Sequence, residues 1–133
     1  MAKLKDFFEI VNTVTGSAAR HNHALKELRE LLDALREFLG KYSTPDDVFK
    51  NMGVARTEVT TLIHQIRVNG KTFRNIKAKR LMPLIRDVYS NLENVRVDIY
   101  NPQKGKSDLT ESLSHLNDSF QALADVISGI EYR

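Results

Sequence analysis

The chain has 133 residues, the usual size of one domain, and its 41% hydrophobic and 28% charged residues exclude an intrinsically disordered polypeptide. It contains no cysteine, which excludes a disulfide framework and a thiolate metal site. No stretch approaches the run of about 18 apolar residues that a membrane-spanning helix needs. Because the N-terminus also lacks the apolar run of a secretory signal, we expect a soluble, cytoplasmic protein.

The first 40 residues predict two helices separated by a short break. Apolar residues recur at helical spacing over residues 2–15, and the break that follows makes Ser17 the expected N-cap of the next helix. That second helix extends to about Leu39 and ends at Gly40. Its leucines alternate three and four apart in a heptad seam made of Leu25, Leu28, Leu32, Leu35 and Leu39.

Residues 44–63 predict two short helices joined at a glycine. Thr44 is the expected N-cap and Pro45 the first helical residue, while Asp46 and Asp47 favour the positive end of the helix dipole. The first helix is expected to stop at Gly53. Val54 then re-enters the core, and a second helix follows whose inward side chains are Val59, Leu62, Ile63 and Ile66.

This pair resembles the helix-turn-helix family of DNA-binding proteins over about a seventh of the chain. The matching positions are Val48, Met52, Gly53, Val54, Val59 and Leu62. The resemblance implies that the second helix lies in the major groove, with Ala55, Arg56, Thr57, Thr60 and Thr61 exposed toward the bases. Arg56 would then pair with guanine, and the threonines would reach bases or phosphates.

The middle of the chain leaves two alternatives open. Asn69-Gly70 either caps the preceding helix, which we prefer, or turns a β-hairpin. A helix is expected over Ile76 to Leu92, kinked at Pro83 or restarting at Met82. The alternation of apolar and polar residues over 94–100 is typical of a short strand.

The C-terminal part predicts a linker and the clearest helix of the chain. Residues 101–107 are rich in turn formers, and Asp108 with Glu111 forms an expected capping box. The helix over 108–131 carries a heptad seam that packs against another helix, within the chain or across a dimer. The seam consists of Leu109, Leu113, Leu116, Phe120, Leu123, Ile127 and Ile130.

The basic charge is concentrated in one segment. Val59 to Arg86 contains seven of the 20 Lys and Arg residues and none of the 17 Asp and Glu residues. Such a segment usually has an anionic partner, most often a nucleic-acid backbone. We expect phosphate contacts from Arg67, Lys71, Arg74, Lys77, Lys79 and Arg80, with base reading by Arg56, Thr57 and Thr60 as a weaker addition. The alternative is that this segment docks on an acidic surface, such as residues 107–133, where five acidic residues stand against one arginine.

We therefore predict a single all-α domain, a helical bundle of four to six helices with the short pair at 44–67 packed across it. A winged variant that uses the hairpin and the 94–100 strand is the runner-up. The expected function is non-enzymatic nucleic-acid binding, to DNA or RNA. The alternative is a protein-interaction or oligomerisation module acting through the C-terminal heptad face, or a small subunit of a larger complex. We find no catalytic motif and expect no cofactor or metal, since His21 and His23 diverge on a helix and Glu111 with His115 offers only one edge of a site.

Overall fold

The computed structural model describes residues 16–101 and 106–133, which form five helices. We number them α1 (Gly16–Lys41), α2 (Pro45–Lys50), α3 (Met52–Phe73), α4 (Leu81–Tyr100) and α5 (Lys106–Ser128). No strand occurs in these two ranges, so the all-α prediction is confirmed and the winged alternative is wrong. The helix predicted over residues 2–15, and residues 102–105 of the predicted linker, lie outside the described residues.

The four long helices pack in a ring, each against two neighbours. α1 packs on α3, α3 on α4, α4 on α5, and α5 returns to α1, while the short α2 contacts α3 and α5. α3 and α4 run antiparallel, because Arg56 of α3 lies beside Ile99 of α4 whereas Arg67 lies beside Tyr89. The prediction of a short pair packed across the bundle is therefore wrong for its second helix. α3 is a full member of the bundle.

Both predicted heptad seams face the common core. In α1, Leu25, Leu28, Leu32 and Leu35 are buried and Leu39 is half-buried. In α5 the seam from Leu109 to Ile127 is at most 4% exposed, and Ile130 is half-buried beyond the helix end. Burial of each such side chain stabilises the fold by about 1.5–3 kcal/mol. No helix in the described part of the chain is long and apolar enough to cross a bilayer.

At the corner between α2 and α3, the predicted start of α2 is confirmed and its predicted end at Gly53 is wrong. Thr44 caps α2, since its hydroxyl accepts the Asp47 amide at 3.3 Å and its own amide donates to the Asp47 carboxylate at 3.2 Å. The hydrogen bond from the Thr44 hydroxyl to that carboxylate is the main cause that lowers the pKa of Asp47. Asn51 alone separates the helices, so Gly53 lies inside α3 instead of ending α2. Val54 is 52% exposed, and its predicted place in the core is wrong.

α3 continues through Asn69-Gly70, so the predicted cap and the alternative hairpin are both wrong. The Asn69 side chain donates to the carbonyl of Gln65 at 3.0 Å, a bond within the helix. One turn further, Phe73 is fully buried. The core contact of Phe73 extends the helix past a dipeptide that locally favours a turn.

α4 contains the segment predicted as a strand. Val95 and Ile99 are buried at the same helical spacing as Val88 and Leu92, and the whole of 81–100 is one helix. The helix begins at Leu81, one residue before the predicted restart. Pro83 therefore lies in the first turn, where a missing backbone N–H costs no hydrogen bond.

The ends of α1 and α5 shift by a few residues from the prediction. α1 includes Ser17 and Gly40, so neither residue is a cap, and α5 begins at Lys106, which puts Asp108 inside its first turn. Beyond Ser128 the chain turns onto α1. There His21 Nε2 donates to the Glu131 carbonyl at 2.9 Å, and Arg29 donates to the Ile130 carbonyl at 2.9 Å. The last residues are thereby attached to the start of α1.

Candidate nucleic-acid interface

Two arginines of α3 define how its outer face meets α4. Arg56 stacks on the ring of Tyr100, 4.6 Å from its centroid, and donates to the carbonyl of Ile99 at 3.3 Å. Arg67 donates through Nε to the Tyr89 hydroxyl at 2.7 Å and lies 3.5 Å from the Glu93 carboxylate. These contacts align the two helices along a shared, solvent-facing edge.

Further basic residues continue this edge toward the connection between α3 and α4. Lys71 and Arg74 follow Arg67 by four and seven positions, so they lie on the same side of the chain at the end of α3. Arg86 precedes Tyr89 by three positions and shares its side of α4. With the residues of the connection they form what we call the cationic surface: Arg67, Lys71, Arg74, Lys77, Lys79, Arg80 and Arg86.

The connection that carries three of these residues is held by the core. Phe73, Ile76 and Leu81 are each at most 5% exposed. Successive turns are closed by backbone hydrogen bonds, with Ile76 N donating to Phe73 O at 3.1 Å and Leu81 N to Ala78 O at 3.3 Å. Lys77, Lys79 and Arg80 therefore project from a backbone of defined shape.

Six of the seven residues of the cationic surface have no partner within the described residues. Lys71, Arg74, Lys77, Lys79, Arg80 and Arg86 are exposed, and within residues 16–101 and 108–133 no hydrogen bond, ion pair or ring contact engages their side chains. Elsewhere five basic side chains have a partner: Arg29, Arg36, Lys41, Arg56 and Arg96. Arg20 and Lys26 on α1 are exposed without one. Arg67 is the exception within the surface, and its bond to the Tyr89 hydroxyl is the main cause that raises its pKa.

Glu93 is the acidic residue that meets this surface. Its carboxylate lies 2.7 Å from Arg96 and 3.5 Å from Arg67, so it is shared between two arginines. No ion pair among the described residues joins the surface to α5, so the predicted alternative of docking on the C-terminal helix is wrong for this part of the chain. Within the described residues, the other six basic side chains of the surface therefore have no acidic partner.

The residues predicted to read bases are placed less favourably. Ala55 is fully buried, and Arg56 is half-buried beneath its contacts with Tyr100 and Ile99. Thr57 donates to the Gly53 carbonyl at 3.1 Å and Thr61 to the Thr57 carbonyl at 2.8 Å, so both hydroxyls bind their own helix. Thr60 is exposed. The first turns of α3 thus present few free hydrogen-bonding groups to a DNA groove.

The heptad face of α5 is likewise occupied. Its apolar side chains from Leu109 to Ile127 pack on α4 and α1, and its outer positions Asn117, Asp118 and Gln121 are polar and exposed. The surface on which the oligomerisation alternative depended is inside this chain's own bundle.

Tyr89, Glu93 and Tyr100 are the residues of the interface that sequence analysis missed. Each acts on an arginine of another helix, so its role depends on the pairing of α3 with α4. The only local signal is the i, i+4 spacing of Tyr89 and Glu93 on one side of α4. No protein family, curated protein or solved structure was found to match this chain.

Proposed function

We propose that this protein is a non-enzymatic nucleic-acid-binding protein that contacts the phosphate backbone through the cationic surface. The observation that carries the proposal is a set of six exposed Lys and Arg side chains on the α3–α4 pair. They have no partner within the described residues, and their own segment contains no acidic residue. Neighbouring positive charges do not stabilise the folded protein, because like charges repel. Phosphate groups supply the missing counter-charge, with release of condensed ions.

Base reading by Arg56, Thr57 and Thr60 is not part of this proposal, because Arg56 and Thr57 are engaged within the protein. The contacts that remain are charge contacts, which give affinity without sequence preference. DNA and RNA backbones both fit this chemistry.

The test is the salt dependence of binding for a charge-reversed variant. We expect Lys77→Glu/Arg80→Glu to weaken binding to a labelled oligonucleotide at least about tenfold at low salt and to lower the slope of log K against log salt by about two. Fluorescence anisotropy over 50–200 mM NaCl measures both quantities. Neither side chain has a partner within residues 16–101 and 108–133, so the unfolding midpoint should be retained.

The matched control is Arg20→Glu/Lys26→Glu. Both residues are exposed on α1 and have no side-chain partner in the described residues, and their reversal changes the net charge by the same amount. Equal losses for the two variants would show that only net charge matters. Absence of binding by the unaltered protein at 50 mM salt would refute the proposed function.

A gain of affinity is expected from Glu93→Gln. This change removes the carboxylate shared by Arg67 and Arg96. Arg67 keeps its bond to the Tyr89 hydroxyl, and both guanidinium groups lose the anion that competes with phosphate. We expect binding about two- to fivefold tighter at low salt. Glu111→Gln is the control, since Glu111 is an exposed carboxylate on α5 that lies 3.9 Å from the His115 ring and contacts no residue of the cationic surface. If Glu93→Gln and Glu111→Gln have the same effect, the phosphate does not bind beside Arg67.

A further inference from the structure

Within residues 16–101 and 108–133, the cationic surface offers no free aromatic ring on which a base can stack. Phe73 is fully buried beneath it, and the half-buried Tyr89 has Arg67 over its ring, 5.7 Å from the centroid, and accepts a hydrogen bond from the same arginine. Exposed aromatic residues occur elsewhere among the described residues. Phe49 is on α2, Tyr100 lies at the opposite end of the α3–α4 pair, and Tyr132 stacks under Arg29 at 4.7 Å. Proteins that bind single strands combine charge with such rings, each worth about 1–3 kcal/mol per base.

The surface also has a shape fixed before binding. Lys71 lies in the last turn of α3 and Arg74 is its C-cap, and the connection from Arg74 to Arg80 is closed by turn hydrogen bonds over the buried Ile76. Arg67 to Arg74 alone covers about 10 Å along the axis of α3. An array of charges carried on an ordered backbone binds best to a partner whose own charges are ordered and dense.

Duplex and single-stranded nucleic acids differ in the free energy that they gain by binding to such a surface. A duplex is already ordered and carries one negative charge per about 1.7 Å of axis, whereas a flexible strand must lose conformational entropy to match a fixed array. Without stacking, nothing compensates the single strand for that loss. Counterion release also favours the duplex, with a salt slope of about −0.9 per contact against about −0.7 for a single strand.

Resting on the proposed function, we propose that the partner is double-stranded nucleic acid, held by its backbone phosphates on the cationic surface without reading of bases. The sequence of the duplex is immaterial to this contact. The preference for a duplex follows from charges carried on an ordered backbone and from the lack of a free aromatic ring among the described residues of this surface.

The experiment compares strandedness at constant length and salt. Binding of the unaltered protein is measured by anisotropy for 20-mers of two unrelated sequences, each as duplex DNA, duplex RNA and single strand. We expect a duplex to bind at least about tenfold more tightly than its own single strands, and the two duplex sequences to agree within about twofold. Lys77→Glu/Arg80→Glu should abolish the preference, whereas Tyr132→Ala should leave it unchanged.

The outcomes separate this inference from the proposed function. Tighter binding to either form of duplex supports it. Equal or tighter binding to single strands overturns the inference while the proposed function stands. A difference above tenfold between the two duplex sequences also overturns it, because bases are then being read. Absence of binding to every oligonucleotide overturns both.

Discussion

Arg56 and Arg67 lie three turns apart on α3 and show how one residue type serves two roles. Arg56 is committed to the fold, with its guanidinium over the Tyr100 ring and its Nη2 bonded to a carbonyl of the last turn of α4. A cation is favourable at that position because the C-terminus of a helix carries partial negative charge. Arg67 is bonded to Tyr89 but keeps most of its side chain exposed, so it can also meet an external anion.

For a single residue, we expect Arg56→Ala to lower the stability of the fold and to leave nucleic-acid binding almost unchanged. It removes the ring contact, the bond to Ile99 and the packing of the aliphatic stem, and should lower the free energy of unfolding by about 1–2 kcal/mol. Urea denaturation followed by circular dichroism measures this loss. Nucleic-acid affinity should change by less than about twofold.

The companion variant is Arg74→Ala, whose side chain has no partner within the described residues. It should show the reverse pattern, with weaker binding and an unchanged unfolding midpoint. A larger loss of binding for Arg56→Ala than for Arg74→Ala would restore the helix-turn-helix interpretation, in which Arg56 contacts a base.

At the scale of the element, α3 shows how packing overrides a local turn signal. Asn69-Gly70 has the composition of a turn, yet a turn there would remove Phe73 from the core, at a cost of about 3–5 kcal/mol by analogy with large-to-small substitutions. The preference of the dipeptide is worth about 1 kcal/mol. The larger contribution prevails, and the helix runs to Phe73.

Gly70→Ala tests this continuity. The described backbone has a positive φ only at Gly16, and a Cβ added at Gly70 meets nothing within 4 Å. We expect the alanine to raise the free energy of unfolding by about 0.5–1 kcal/mol, because it restricts the unfolded chain and favours helix. Urea denaturation provides the measurement.

Gly16→Ala is the control for the same substitution in another conformation. The φ of Gly16 is +35°, in the region that disfavours a side chain, so alanine should destabilise the protein there. If Gly70→Ala is destabilising instead, Gly70 takes a left-handed conformation in solution and α3 ends before it.

At the scale of the whole molecule, the ring of four helices decides which surfaces remain for partners. The apolar side chains of the α5 seam are buried in the core, and the α3–α4 edge carries the positive charge that has no partner among the described residues. The apolar stripe of α5 has the pattern of a dimer interface, but it is buried within this chain, because the four amphipathic helices pack their apolar faces together.

Leu116→Ala tests that the seam is internal. Leu116 is fully buried, and its truncation should lower the free energy of unfolding by about 2–5 kcal/mol. Asn117→Ala, at the adjacent exposed position, should change it by less than about 0.5 kcal/mol. The urea midpoint of the unaltered protein should not move over a hundredfold range of concentration, whereas a seam shared between two chains would make it rise with concentration.

Much of this bundle could be predicted from local pattern. The helical spacing of apolar residues located α1 and α5, and Thr44 with Pro45 and Asp47 located the start of α2, because caps and amphipathic stripes depend on neighbours within one turn. The 94–100 segment and Asn69-Gly70 were predicted wrongly for the same reason. Alternation over seven residues and a turn dipeptide are short-range signals, which the packing of Ile99 and Phe73 outweighs.

The order of residues along the chain is enough to establish the helical class, the two apolar seams and the acid-free basic segment from Val59 to Arg86. Which basic residues stay free depends on how the helices pack. The α3–α4 pairing brings Arg56 onto Tyr100 and Arg67 onto Tyr89 and Glu93, and within the described residues it leaves the basic side chains from Lys71 to Arg86 without partners. This is because the charge of a side chain is a property of the residue, whereas its neutralisation depends on which helix lies across from it.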